Sequence, residues 1–315
     1  MLQISIFVAS LALMIIAGDF LVKGASRIAY QLHLSPLVVG LTIVAFGTSA
    51  PELFISLSSA LKGSPDLALG NVIGSNICNL ALVLGATALI NPIKIQSNSI
   101  KIDWPVAMFS SLLLYFFISD LTLAYWEGLI FLSILIIYIV FLIKNSRKNT
   151  MALRELEKEV VIPAANKKHL WLNILYIMLG MAGLYFGSEW FVGSAKILAL
   201  DWGVSERVIG LSMVAFGTSV PELVTAVVAS FKKETDLALG NLIGSNIFNI
   251  LSILGITSLI KSIEVSQIIL TVDMLWMLGI TFVILPMMIS KKIMSRAEGG
   301  LLVASYVYYI ISVFI

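Results

Sequence analysis

The chain has 315 residues, of which 59% are hydrophobic and only 12% charged, and its net charge is +2. Its mean hydropathy is +1.01. Soluble domains carry about 25% charged residues, so this composition excludes that class, and so small a net charge gives no electrostatic footprint for nucleic acid. The single cysteine, Cys78, excludes an intramolecular disulfide and any cysteine-based metal pattern.

Apolar runs long enough for a spanning helix of roughly 20 residues recur from end to end. They predict an all-α polytopic membrane protein with ten transmembrane helices, at 2–32, 36–61, 66–92, 104–119, 124–145, 170–199, 206–230, 236–260, 265–289 and 298–315. The first run has neither the basic leader nor the cleavage site of a signal peptide, and it is expected to stay in the mature protein. One clearly polar segment, 146–169, reads as a linker between two five-helix halves, 1–145 and 170–315. Within it, Pro163 is expected to interrupt any helix begun by ALRELEKEV.

The halves repeat each other. VAFGTSAPEL at 44–53 returns as VAFGTSVPEL at 214–223, and DLALGNVIGSNICN at 66–79 returns as DLALGNLIGSNIFN at 236–249. Glu52 and Glu222, Ser75 and Ser245, and Asn79 and Asn249 are all separated by 170 positions. GDFLVKGASRI at 18–28 resembles GSEWFVGSAKI at 187–197 with a one-residue slip. Five helices per half force the halves into opposite orientations, the inverted repeat of secondary transporters.

Loop charges test that count independently. With the N-terminus outside, Lys23, Arg27, Lys94, Lys101, the basic linker residues, Lys232, Lys233, Lys291, Lys292 and Arg296 fall on the cytoplasmic side. Only Lys62, Lys196, Arg207 and Lys261 fall outside. The linker is therefore expected in the cytoplasm and both chain ends outside the cell membrane.

The chemistry concentrates where polar residues interrupt the apolar runs. Gly47, Thr48, Ser49, Pro51 and Glu52 stand mid-way along the second helix, and Gly217, Thr218, Ser219, Pro221 and Glu222 mirror them in the seventh. Proline removes a backbone donor, and the freed carbonyls cannot face lipid unsatisfied. Inversion is expected to bring the two breaks together near the bilayer centre. There a carboxylate costs at least about 2.5–3.5 kcal/mol, a penalty that a bound cation relieves. An oxygen-only cage of carboxylates, hydroxyls and carbonyls suits calcium, sodium or magnesium, and magnesium prefers to keep its waters.

A single GTSxPE segment would be compatible with a plain kink, but two copies with a glutamate at the same place argue against it. Ser75 and Asn79 lie one turn apart, as do Ser245 and Asn249, so each pair can face the site. Asn76 and Asn246 lie off that face, where they would hold neighbouring backbone. Asp66, Asp236, Asp103 and Asp273 read most simply as helix caps, and Asp19 and Glu189 as interfacial or gating residues. No nucleophile–base pair or phosphate cradle is present, so no enzymatic activity is expected.

At these residues the sequence resembles the cation/calcium exchanger superfamily, specifically its prokaryotic sodium/calcium exchangers. The resemblance spans Ser35–Gly85 and Ser205–Gly255 and rests on the paired GTSxPE and GSN motifs. Related proton/calcium exchangers carry Asn where this chain has Thr48 and Thr218. The resemblance implies that Glu52, Glu222, Thr48 and Thr218 ligate calcium. It implies that sodium uses them together with Ser49, Ser75, Ser219 and Ser245, and that the carbonyls of Ala45 and Ala215 complete two sodium positions. Family members often carry an aspartate at the position of Asn79 or Asn249; here both are asparagine, leaving two formal negative charges.

The implied function is secondary antiport of calcium against sodium by alternating access, with the first and sixth helices as sliding gates. Transported ions are its ligands, the lipid bilayer its surroundings, and neither a cofactor nor an obligate protein partner is expected. Proton-coupled or potassium-dependent cation antiport is the alternative, and a cation channel a more distant one.

Overall fold

The computed structural model describes residues 2–156, 167–202 and 216–314. Eleven helices are named in chain order: α1 (Leu2–Gln31), α2 (Pro36–Thr48), α3 (Ala50–Leu61), α4 (Pro65–Ile90), α5 (Ser99–Asp120), α6 (Tyr125–Leu156), α7 (Lys167–Asp201), α8 (Val220–Phe231), α9 (Thr235–Ile260), α10 (Ile269–Ile289) and α11 (Arg296–Phe314). Among the described residues, seven helices are individually long and apolar enough to cross a membrane, and α2 with α3 forms an eighth span bent by 45°. The shorter α8 and the 19-residue α11 stand at the remaining two predicted spans. This is an all-α polytopic membrane protein.

α4 and α9 form its centre, with 78% and 83% of their apolar windows buried inside the protein against 28–39% for the other complete spans. The reason lies in their sequences. Asn71, Ser75, Asn76 and Asn79 on α4, and Asn241, Ser245, Asn246 and Asn249 on α9, are all buried. Hydrocarbon satisfies no hydrogen bond, so helices that carry such groups are driven inside and the purely apolar ones surround them. Small residues let the inner helices approach closely. A Cβ on Gly40 of α2 would lie 2.6 Å from the Leu237 carbonyl oxygen of α9, so only glycine fits that crossing.

Two antiparallel bridges tie the loops of the halves together. β1 (Ile93–Lys94) pairs with β4 (Ile293–Met294), and β2 (Thr122–Leu123) pairs with β3 (Ile263–Glu264). Each bridge joins a loop of one half to a loop of the other, while the repeat mates β1 and β3 fall in different bridges.

Several expected boundaries and roles change. The fourth helix starts at Ser99, not 104, because a π-helical turn at Ser99–Asp103 runs straight into the α-helix. The fifth continues to Leu156, so nearly half of the expected linker, 146–156, extends α6. Pro163 lies outside the described residues. Asp103 and Asp273 do not cap helices: they lie inside π-turns and accept hydrogen bonds from Tyr138 and Tyr309, both at 3.0 Å. Asp66 and Asp236 sit in first turns without capping them, and Asp236 accepts from the Gln96 amide at 2.5 Å.

Candidate cation-binding site

Each GTSxPE segment folds into a break. Ser49 has φ −85° and ψ 6°, Ser219 has φ −86° and ψ 0°, and both lie outside helical geometry. The cause is local. Pro51 and Pro221 carry no N–H to continue the preceding helix, and each takes the first turn of the next one, where the missing donor costs nothing. Glu52 and Glu222 follow in those same first turns, near the positive end of the helix dipole. Both are 0% exposed.

Residues of the two halves meet across the breaks. Ser49 of α2–α3 donates to Glu222 Oε1 at 3.3 Å, and Ser245 of α9 donates to the same oxygen at 3.4 Å. The Thr48 hydroxyl lies 3.5 Å from that of Ser245, and the Ser75 hydroxyl lies 3.1 Å from that of Thr218. Glu52, Glu222, Thr48, Thr218, Ser49, Ser219, Ser75, Ser245, Asn79, Asn249 and Ala45 are all buried. Ala215 lies outside the described residues. The Ala45 carbonyl accepts the Ser49 amide at 3.0 Å and the Thr48 hydroxyl at 3.4 Å.

What these groups lack is as informative as what they have. Both oxygens of Glu52 and Oε2 of Glu222 are buried with no hydrogen-bond partner among the described residues. The same holds for both side-chain atoms of Asn79 and for Asn249 Oδ1. Native interiors rarely leave so many polar atoms unmet, and an unpaired carboxylate is the most costly of them. Unpartnered acceptor oxygens gathered around two carboxylates and their neighbouring hydroxyls suit a cation with oxygen preference.

Asparagines knit the two halves behind the carboxylates. Asn249 Nδ2 donates to Asn76 Oδ1 at 3.0 Å, and Asn76 Nδ2 donates to the Asn246 carbonyl at 3.3 Å. Asn76 therefore contacts a site-facing residue directly. Asn79 lies in, and Asn249 opens, a π-helical segment, Cys78–Val83 and Asn249–Leu254 respectively. Such segments recur at functional sites because they re-aim side chains within a helix.

Two residues escaped the sequence reading. Asn241 Oδ1 accepts the Thr48 hydroxyl at 3.2 Å. Asn71 Nδ2 donates to the Glu52 carbonyl at 3.2 Å and to Ser56 Oγ at 2.9 Å, bracing the helix that presents Glu52. Their signal was present: both belong to the repeated DLALGN segment at the same spacing of 170.

With this geometry in place, known proteins give a consistent answer. The family described as "Sodium/calcium exchanger protein" matches residues 2–144 and 172–315. The chain belongs to that family. It is a transporter family, so the chain is not an enzyme. The putative antiporter CaxA of Alkalimonas amylolytica is 38% identical over 98% of both chains. The sodium/calcium exchanger MaX1 of Methanosarcina acetivorans is 31% identical over 98% of this chain and 97% of its own. A solved structure of the sodium-calcium exchanger NCX_Mj soaked with sodium and calcium superposes with a TM-score of 0.84, at 31% identity, over 99% of this chain and 98% of its own. At this identity and coverage, the chain has the all-α polytopic fold of the sodium/calcium exchangers.

Proposed function

We propose that this chain exchanges calcium for sodium across the cell membrane by alternating access, with Glu52 and Glu222 as the ligands both ions share. The carrying observation is the pair of fully buried carboxylates on mirror-image breaks, with three of their four oxygens unpartnered among the described residues. Thr48, Thr218, Ser49, Ser219, Ser75 and Ser245 supply hydroxyl oxygens around them, and the carbonyls of Ala45 and Ala215 complete the sodium positions. Asn79 and Asn249 contribute neutral oxygens, which keeps the cage at two formal negative charges and matches it to one calcium ion.

Coupling follows from competition. Calcium and sodium have similar radii, so one cage holds either ion but not both at Glu52 and Glu222. An empty cage leaves two carboxylates uncompensated in low dielectric, which disfavours moving between the two open states without cargo. If three sodium ions exchange for one calcium, one net charge moves inward per cycle, and the membrane potential adds about 2.3 kcal/mol per 100 mV. The basic residues favour an orientation with the 146–169 linker in the cytoplasm and both chain ends outside.

The test is calcium uptake into proteoliposomes under separate outward gradients of sodium, potassium and protons. Sodium-driven uptake is expected, with no calcium flux when no cation is present on the far side. Uptake that follows protons and ignores sodium would overturn the assignment, and calcium flux without counterion would indicate a channel.

A further inference from the structure

The inverted repeat predicts that a contact made by one half on one face of the membrane has a mate on the other face. One such pair is occupied on one side only. Asp19 of α1 forms an ion pair with Lys232, which caps the C-terminal end of α8. Its carboxylate is also held by Lys23 at 2.6 Å, one turn along α1. Only 30% of the Asp19 side chain and 26% of the Lys232 side chain are exposed, so the pair sits within the helix contact. Beside it the helices touch closely: a Cβ on Gly18 would lie 3.2 Å from Val224 Cγ1 of α8.

Shifting each partner by 170 positions, forward for Asp19 and back for Lys232, gives Glu189 and Lys62. Glu189 lies on α7, the mate of α1, and Lys62 caps α3, the mate of α8. The charges are conserved in sign, yet this second pair is not made. Both residues are exposed, and neither forms an ion pair among the described residues. A purely structural ion pair would have no reason to be duplicated with the same polarity at a place where it does not form.

We propose that Asp19–Lys232 and Glu189–Lys62 are alternating gate pairs. The first holds α1 against α8 and shuts that face in the conformation seen here. The second forms on the opposite face, and the first breaks, when α1 and α7 slide to expose the cation site to the other side. With the linker in the cytoplasm, the closed pair is the cytoplasmic gate and the open pair the external one. This inference rests on the alternating-access reading above. An ion pair of this exposure shifts a two-state equilibrium by about two- to fivefold.

Two experiments test it in proteoliposomes, in a Cys78→Ser background that retains exchange. The first compares the cysteine pairs Asp19→Cys/Lys232→Cys and Lys62→Cys/Glu189→Cys, each bridged by a short, reducible bifunctional thiol reagent. Both pairs are expected to cross-link, conditions that favour one are expected to disfavour the other, and each bridge should stop exchange until it is reduced. A Lys62/Glu189 pair that never cross-links while the background protein exchanges would overturn the proposal. The second measures half-saturating calcium separately at each face in Lys232→Glu and Lys62→Glu. Lys232→Glu should weaken apparent affinity at the external face and strengthen it at the cytoplasmic face by about two- to fivefold, and Lys62→Glu should do the reverse. Shifts of the same sign in both variants, or none, would refute the gates. Absence of sodium-driven exchange in the parent protein would instead remove the transport reading beneath them.

Discussion

Replacing either glutamate by glutamine keeps the shape of the site and removes one of its two charges, which makes Glu52→Gln and Glu222→Gln the most direct probes of the cage. Truncating one partner of a buried charge pair costs about 2–5 kcal/mol, or roughly 30-fold to several-thousand-fold in affinity. At 100 times Kd, a ligand that binds only the folded protein adds about 2.7 kcal/mol of stability. A loss of 30-fold or more leaves about 0.9 kcal/mol or less of that. Calcium should therefore protect the wild type against thermal unfolding in detergent and protect either variant far less. The ion-free proteins should differ as well. Glu222 Oε1 accepts hydroxyls from Ser49 and Ser245, whereas Glu52 has the Thr218 hydroxyl as its one side-chain neighbour of that kind among the described residues. Removing the less supported charge relieves more, so Glu52→Gln should be the more stable variant without ions, with a ceiling of about 2.5–3.5 kcal/mol. A Glu52→Gln protein that keeps full calcium protection, or that is less stable than wild type without ions, would refute this account of the site.

Ser49→Ala and Ser245→Ala each remove one of the two hydroxyls on Glu222, at about 1 kcal/mol per hydrogen bond, and should raise half-saturating sodium severalfold in a well-folded protein. Asn71→Ala leaves the Glu52 carbonyl without its amide partner and should lower stability by about 1–3 kcal/mol, measured by chemical or thermal unfolding. Gly40→Ala drives a methyl group into the Leu237 carbonyl and should cost about 1–3 kcal/mol or prevent folding, whereas Gly70→Ala meets open space and should be tolerated; fluorescence-detected size exclusion separates the two. Asn249→Leu breaks the bond to Asn76 and removes a neutral oxygen from the cage, so exchange should fall while calcium protection by the two glutamates persists.

Much of this was legible in the linear chain because hydrocarbon is a demanding solvent. Polar residues survive inside apolar runs only with a reason, so the duplicated Thr-Ser-x-Pro-Glu segments marked the candidate site, and their fixed spacing marked the repeat. Helix ends were harder to read. Asp103 and Asp273 carry the signature of caps, but the chain enters the helix earlier through a π-turn, and tyrosines from α6 and α11 claim the two carboxylates. No local rule weighs a partner some 35 residues away against a free helix end. Asn71 and Asn241 were hidden for a similar reason. Small polar residues in buried helices commonly serve packing, and only the crossing of α2 with α9 and of α3 with α4 turns these two into braces for Thr48 and Glu52.

The sequence alone determined that the protein spans a membrane, that it is built twice, and that two carboxylates with neighbouring hydroxyls lie within its apolar runs, since each follows from the solubility of side chains and from periodicity. The tertiary structure decided which oxygens are left unpaired, how the halves share hydrogen bonds across the breaks, and that Asp19 meets Lys232 while Glu189 and Lys62 stand apart. Those are properties of one conformation. The repeated sequence supplies the opposite charges for both gate pairs, and packing in three dimensions selects which pair is made.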